Sequence, residues 1–142
     1  MAQTRVSIER GVNSGDHLPE RQLTPDNVQL FLYNAVLFNA HRIHFDEPYA
    51  RDVEAYPGLV VAGPLLGDWL NQCVEEWLGD EGRLVSIDYS NRQACYIGET
   101  VTSGGKVLDY DAESGELQLE LFIRNEAGDI IAPGTAVAVL GR

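Results

Sequence analysis

The chain has 142 residues, of which 44% are apolar and 23% charged, and its formal charge is −12. These totals suit one globular domain over 1–142 and exclude a disordered chain. They also speak against nucleic acid or an anionic membrane as partner, since phosphate binding needs clustered Lys and Arg and Lys106 is the only lysine. No apolar run approaches the roughly 20 residues of a membrane helix. The first ten residues carry no apolar leader. A soluble, cytoplasmic protein is expected.

Gly15–Pro19 reads as a turn leading into an extended piece through Leu23. Thr24-Pro25-Asp26 is a helix start, with Thr24 as N-cap and Pro25 in the first helical position. Val28, Phe31, Leu32, Ala35 and Val36 recur at helical spacing, predicting a helix from about Pro25 to Val36. Glu47–Arg51 suggests a short helical turn, and Leu59–Val61 a short apolar link. Gly63-Pro64 opens the strongest helix, about 64–78, with Leu66, Trp69, Leu70, Cys73, Val74 and Trp77 on one face and Gly79 as its stop. From Gly82 the pattern turns to strands: Arg83–Ser90, Ala94–Ile97, Thr100–Tyr110, Leu117–Ile123 and Ile130–Leu140. Gly104-Gly105 marks a bend or bulge, and Asn125–Asp129 a hairpin turn. Helices first and antiparallel strands after argue for an α+β fold whose sheet wraps the 64–78 helix. Cys73 and Cys95 fall in apolar surroundings and read as buried free thiols.

Phe38–Asp46 has no clean period but holds Asn39, His41, His44 and Asp46. Three readings compete for them. They could satisfy buried backbone groups. His41, His44 and Asp46 are usable metal ligands, but no further Cys/His cluster follows. A histidine near its ordinary pKa can also move protons at neutral pH, and Asn39 can orient water without acting as a base. The Gly63-Pro64 helix start adds free N–H groups and a positive dipole end, which suit an oxyanion developing on a carbonyl.

Three stretches carry a resemblance: F-N-A-H-R-I-H-F-D-E-P-Y-A (Phe38–Ala50), Y-P-G-L-V-V-A-G-P-L (Tyr56–Leu65) and Y-I-G-E-T (Tyr96–Thr100). From about Gly15 to Leu140 the chain resembles the MaoC-like hydratases and dehydratases of the hot-dog fold. It is most similar to the mesaconyl-CoA hydratase and type 2 3-hydroxyacyl-thioester dehydratase branch. The resemblance implies reversible addition of water across the 2,3 double bond of an acyl thioester on coenzyme A or acyl carrier protein. That thioester is the substrate; no cofactor and no metal are implied. The (R)-specific members carry D-x-N-P-x-H; His44 matches its histidine, Asn39 stands at the Asp position and His41 at the Asn position. His44 is then the principal acid/base, and His41 a second proton carrier or its partner. Asn39 positions water and the Gly63 N–H polarises the carbonyl. Ala62 departs from the His that many members carry before the glycine. Arg42, Arg92 and Tyr96 are the candidates for binding substrate. A homodimer with its pocket at the subunit interface is also implied. Two alternatives stay open: a thioesterase using Asp68, and a non-catalytic hot-dog partner subunit or acyl-binding module.

Overall fold

The computed structural model describes residues 11–141; the expectation for the first ten residues lies outside that range. The chain runs β1 (His17–Leu23), α1 (Asn27–Val36), a 3₁₀ turn (Arg42–His44), α2 (Glu47–Asp52), α3 (Gly63–Leu78), then β2 (Gly82–Tyr89), β3 (Val101–Tyr110), β4 (Glu116–Arg124) and β5 (Ile130–Leu140). The strands form one antiparallel sheet in the order β1-β3-β4-β5-β2. Helix α3 packs against all five. This is the α+β hot-dog arrangement, a curled sheet around one helix.

Alternation explains why the sheet holds α3. In β4, Leu117, Leu119, Leu121 and Ile123 are fully buried, while Glu116 and Glu120 face solvent. The α3 face set by Leu66, Leu70, Val74 and Leu78 meets this inner surface, with Trp69, Cys73 and Trp77 buried beside it. Gly79, with φ 56°, stops the helix. Both cysteines are buried and free. Among the described residues no helix is long and apolar enough to cross a membrane.

Three expectations need correction. Helix α1 starts at Asn27, and Asp26 rather than Thr24 caps it, its carboxylate accepting from the Gln29 N–H at 2.8 Å. The Thr24 hydroxyl is instead paired with that of Thr100 at 2.8 Å. Second, the residues whose spacing predicts α1 are not its buried face: Val28, Phe31, Leu32 and Val36 are exposed, Val36 by 77%, while Leu30 and Asn34 point inward. Helical spacing reports a stripe, not what the stripe faces. Third, Ala94–Ile97 forms no strand; Tyr96 alone makes an isolated bridge, to Val60. The irregularity expected at Gly104-Gly105 lies on the β1 side: both glycines pair regularly with Phe122 and Leu121 of β4, but the β1–β3 register shifts between Leu18 and Arg21, opposite Gly104. The glycines serve close packing, since a Cβ at Gly105 would collide with the Glu120 carbonyl and one at Gly104 with the Phe122 ring.

Leu70 is fully buried at the centre of α3, facing Gly134 of β5. Leu70→Ala is expected to cost about 2–5 kcal/mol, the usual range for a core leucine truncation. Denaturant unfolding of the two proteins measures it.

Candidate active site

The site grows from the turn after α1. Phe38 takes a left-handed conformation (φ 54°), uncommon for a residue with a Cβ, and its side chain is 95% exposed. The Asn39 N–H then donates to the Asn34 carbonyl at 2.9 Å, which reverses the chain. Asn39 Oδ1 accepts the His41 N–H at 3.1 Å, leaving its amide nitrogen free as a donor. His41 caps the 3₁₀ turn, its Nδ1 accepting from the Ile43 N–H at 3.4 Å, and its ring stays exposed.

His44 lies inside that turn and is only 8% exposed. Its Nδ1 sits 2.7 Å from the Val60 carbonyl oxygen. A carbonyl only accepts, so Nδ1 carries the hydrogen and Nε2 of the neutral ring presents a lone pair. No other described residue hydrogen-bonds Nε2. The His41 and His44 rings meet edge-on, centroids 5.8 Å apart, without a hydrogen bond between them.

Val60 is itself held from both sides. Its N–H donates to the Ile43 carbonyl at 3.0 Å, and it bridges Tyr96 in antiparallel fashion. The Val61 N–H donates to the Cys95 carbonyl at 2.8 Å, and the Ile97 N–H to that of Leu59 at 3.0 Å. The histidine turn, residues 59–61 and residues 95–97 are thus laced together. Three residues past Val60, Gly63 starts α3. Ala62 provides no side-chain cap, and the Gly63 N–H has no partner among the described residues. An uncapped helix start of this kind offers donors and a positive dipole end.

A cavity of about 220 Å³ opens here, lined by Val60, Val61, Gly63, Leu66, Asn91 and Arg92 among others. Arg92 also borders a larger groove of about 730 Å³ between β2, β4 and β5. Its Nε donates to Ser90 Oγ at 2.9 Å. Tyr96 is half-buried against Tyr56, ring centroids 6.3 Å apart. The structure therefore brings Gly63 and Arg92 to one cavity, with His44 anchored to the Val60 that lines it. Arg42 is engaged elsewhere: both its Nε (2.9 Å) and its NH2 (2.7 Å) donate to Asp46 Oδ2, and its guanidinium lies 4.2 Å from the Tyr49 ring centre.

Asp46 is structural in this arrangement. It caps α2 by accepting the Tyr49 N–H at 3.2 Å. The Arg42 hydrogen bonds, then that N–H, hold its carboxyl below the usual range. Among the described residues no three His, Cys, Asp or Glu side chains gather as a metal site. Asp68, the thioesterase candidate, accepts from the Tyr33 hydroxyl at 2.6 Å; burial first, and Asp68 second, push that phenol's pKa up. Burial likewise pushes the Cys95 thiol up to about 12 and the Cys73 thiol up to about 11, so neither is poised as a nucleophile. The sequence reading missed Asn91, whose side chain lies directly against Gly63. The available signal was the Gly63-x-x-x-Gly67 spacing, which puts two side-chain-free positions on one face of α3.

The fold is that of a hot-dog protein, with a histidine turn tied through Val60 to the segment that leads into the open start of α3. A family model described as "Hydroxyacyl-thioester dehydratase type 2" matches residues 2–97, and the chain belongs to that family. It is 59% identical over 46 residues to mesaconyl-C(4)-CoA hydratase of Chloroflexus aurantiacus, covering 32% of this chain and 16% of that protein. It is 51% identical over 43 residues to the mitochondrial hydroxyacyl-thioester dehydratase type 2 of Schizosaccharomyces pombe, covering 30% and 14%. These matches span less than a fifth of either relative's length. Among solved structures, an (R)-hydratase from A. caviae involved in PHA biosynthesis superposes with a TM-score of 0.85 at 17% identity, covering 93% of this chain and 99% of that one. At that identity the likeness concerns the fold.

Two predictions follow from the geometry. Histidine ¹H–¹⁵N correlation spectra of the neutral protein will show His44 as the Nδ1–H tautomer; an Nε2–H ring would contradict the Val60 bond. The Asp46 pKa is lowered on folding, so its stabilisation is complete above its ordinary value of 3.8 and is lost as pH falls through the lower folded value. Asp46→Ala should therefore lower Tm at neutral pH, with the difference from wild type closing in acid.

Proposed function

We propose that this chain is a hydro-lyase: an enoyl-thioester hydratase working reversibly as a 3-hydroxyacyl-thioester dehydratase. The observation that carries the reading is His44. Its Nδ1–H is fixed by the Val60 carbonyl, its Nε2 is bare, and the unpaired Gly63 N–H lies three residues further along.

In the hydration direction, the thioester carbonyl oxygen accepts a hydrogen bond from the Gly63 N–H. That polarises the conjugated double bond and leaves C3 electron-poor. Water, held by the free amide nitrogen of Asn39, gives one proton to His44 Nε2 as its oxygen bonds to C3. The electron pair of the double bond moves onto the thioester as an enolate, whose charge faces Gly63 and the α3 dipole. Imidazolium at His44 then returns the proton to C2, so one water is consumed and the enzyme is restored. His41, exposed beside His44, is the second proton carrier exchanging with solvent.

Arg92 is the proposed contact for the anionic end of a coenzyme A or carrier-protein thioester, since it borders both the small cavity and the larger groove. Tyr96 is proposed as part of the wall on the Val60 side. Arg42 fits a substrate role less well, because Asp46 and Tyr49 already occupy its guanidinium.

We infer that the single hot-dog domain works as a homodimer. Its cavity of about 220 Å³ is smaller than the roughly 300–1,000 Å³ of ligand pockets, which favours a second chain completing the walls. The exposed apolar side of α1 and the open edges at β1 and β2 favour the same reading. A cytoplasmic placement rests on sequence alone; the S. pombe relative is named as mitochondrial. The thioesterase reading loses ground because the Asp68 carboxylate is held by Tyr33.

The test follows the conjugated thioester absorbance and free thiol together, across enoyl-CoA esters from crotonyl to branched and dicarboxylic acyl groups. Loss of absorbance without thiol release is expected. His44→Ala should lower turnover by about 10²–10⁴, the range for a lost general acid/base. Thiol release, or near-normal turnover in a folded His44→Ala variant, would overturn the reading.

A further inference from the structure

We propose that Asn91 is a second hydrogen-bond donor to the substrate carbonyl, working beside the Gly63 N–H; this rests on the hydratase reading above. Asn91 follows β2 in a short loop pinned on both sides. The Ser90 N–H donates to the Pro133 carbonyl at 3.1 Å, and the Arg92 N–H to the Ile131 carbonyl at 2.8 Å. Ser90 and Arg92 bond to each other through their side chains. Asn91, between them, lies instead on the start of α3.

Two glycines make that approach possible. A Cβ at Gly63 would collide with the Asn91 Nδ2, and one at Gly67 with the Tyr89 ring. Residues four apart share a helix face. Tyr89, at the end of β2, and Asn91, in the loop after it, thus lie against the Gly67 and Gly63 positions of one α3 face. Tyr89 fills its half with an aromatic ring. Asn91, exposed at the rim of the cavity, brings a primary amide whose nitrogen is the end nearer Gly63 and has no hydrogen-bond partner among the described residues.

Asn91 and Gly63, whose N–H is unpaired among the described residues, line the same cavity. A carbonyl oxygen carrying developing negative charge has two lone-pair directions, and one backbone N–H serves only one of them. An Asn91 N–H supplies the other without any proton changing hands. The chemistry recognised is an acyl thioester carbonyl conjugated to a double bond, whose oxygen gains charge when water adds at C3.

The experiment uses the full chain and an unreactive chromophoric enoyl thioester, 4-dimethylaminocinnamoyl-CoA, whose absorbance moves to longer wavelength as its carbonyl is polarised. The wild type should shift the band on binding. Asn91→Ala should bind it with similar affinity but at least halve the shift. With the best enoyl-CoA, kcat should fall about 10²-fold, the low end for a lost oxyanion donor, and KM should change little. Asn91→Asp keeps the side-chain size but puts an acceptor where the donor stood, and should lose more. A full shift and unchanged kcat in folded Asn91→Ala would overturn the Asn91 role while leaving the hydratase reading intact. If the wild type neither shifts the probe nor hydrates any ester, both fall. If the wild type is active but both variants lose the native circular dichroism spectrum, Asn91 is a packing residue and the proposal is wrong.

Discussion

The carbonyl of Val60 is the point on which the candidate site depends. It accepts from a histidine ring, and its own residue's N–H is spent on the histidine's turn. One backbone oxygen therefore sets a tautomer, an orientation and a depth of burial. An ordinary hydrogen bond contributes only about 1 kcal/mol net. Its importance here is geometric: it keeps the ring's lone pair on the side opposite the linking segment, residues 59–62, that leads into α3. The bridge to Tyr96 and the Val61–Cys95 bond hold that segment, so the histidine is anchored to backbone that is itself pinned on two sides.

The fold was legible where apolar periodicity coincided with burial. Helix α3 carries a Pro near its start, a glycine at its end and a face nearly all of which is buried. Strand β4 alternates strictly, and its inner residues are fully buried. Legibility failed where the same apolar signal had another use. The stripe of α1 looks outward, because Leu30 and Asn34 rather than Phe31 and Leu32 meet the interior. The Gly104-Gly105 pair reads as a bend or bulge; the register does shift opposite Gly104, but along β1, and the glycines also let the Glu120 carbonyl and the Phe122 ring come close. A sequence names a glycine but not the atom that needs its missing side chain.

The site divides in the same way. Asn39, His41 and His44 stand in one short segment, and local hydrogen bonds arrange them within it. Family membership adds weight to that segment, since the family match spans it. Arg42 shows the limit. It sits inside the motif, but its charge is satisfied by Asp46 four residues on, a pairing that helical spacing allows but does not announce. Asn91 shows the opposite limit: it lies far along the chain in an unremarkable loop and reaches Gly63 only because β5 fixes that loop.

The two glycines of α3 also restrict how such a site can diversify. A Cβ at 67 would meet the half-buried Tyr89 ring, whereas one at 63 would meet the end of the exposed Asn91 side chain, so 67 is the more restricted of the two. Of the other residues lining the cavity, Val61 and Leu66 are buried in the core and restricted by its packing, whereas Ala94 is exposed. On the proposed hydratase reading, a change in the acyl group accepted would meet least resistance at Ala94, on the exposed rim of that cavity.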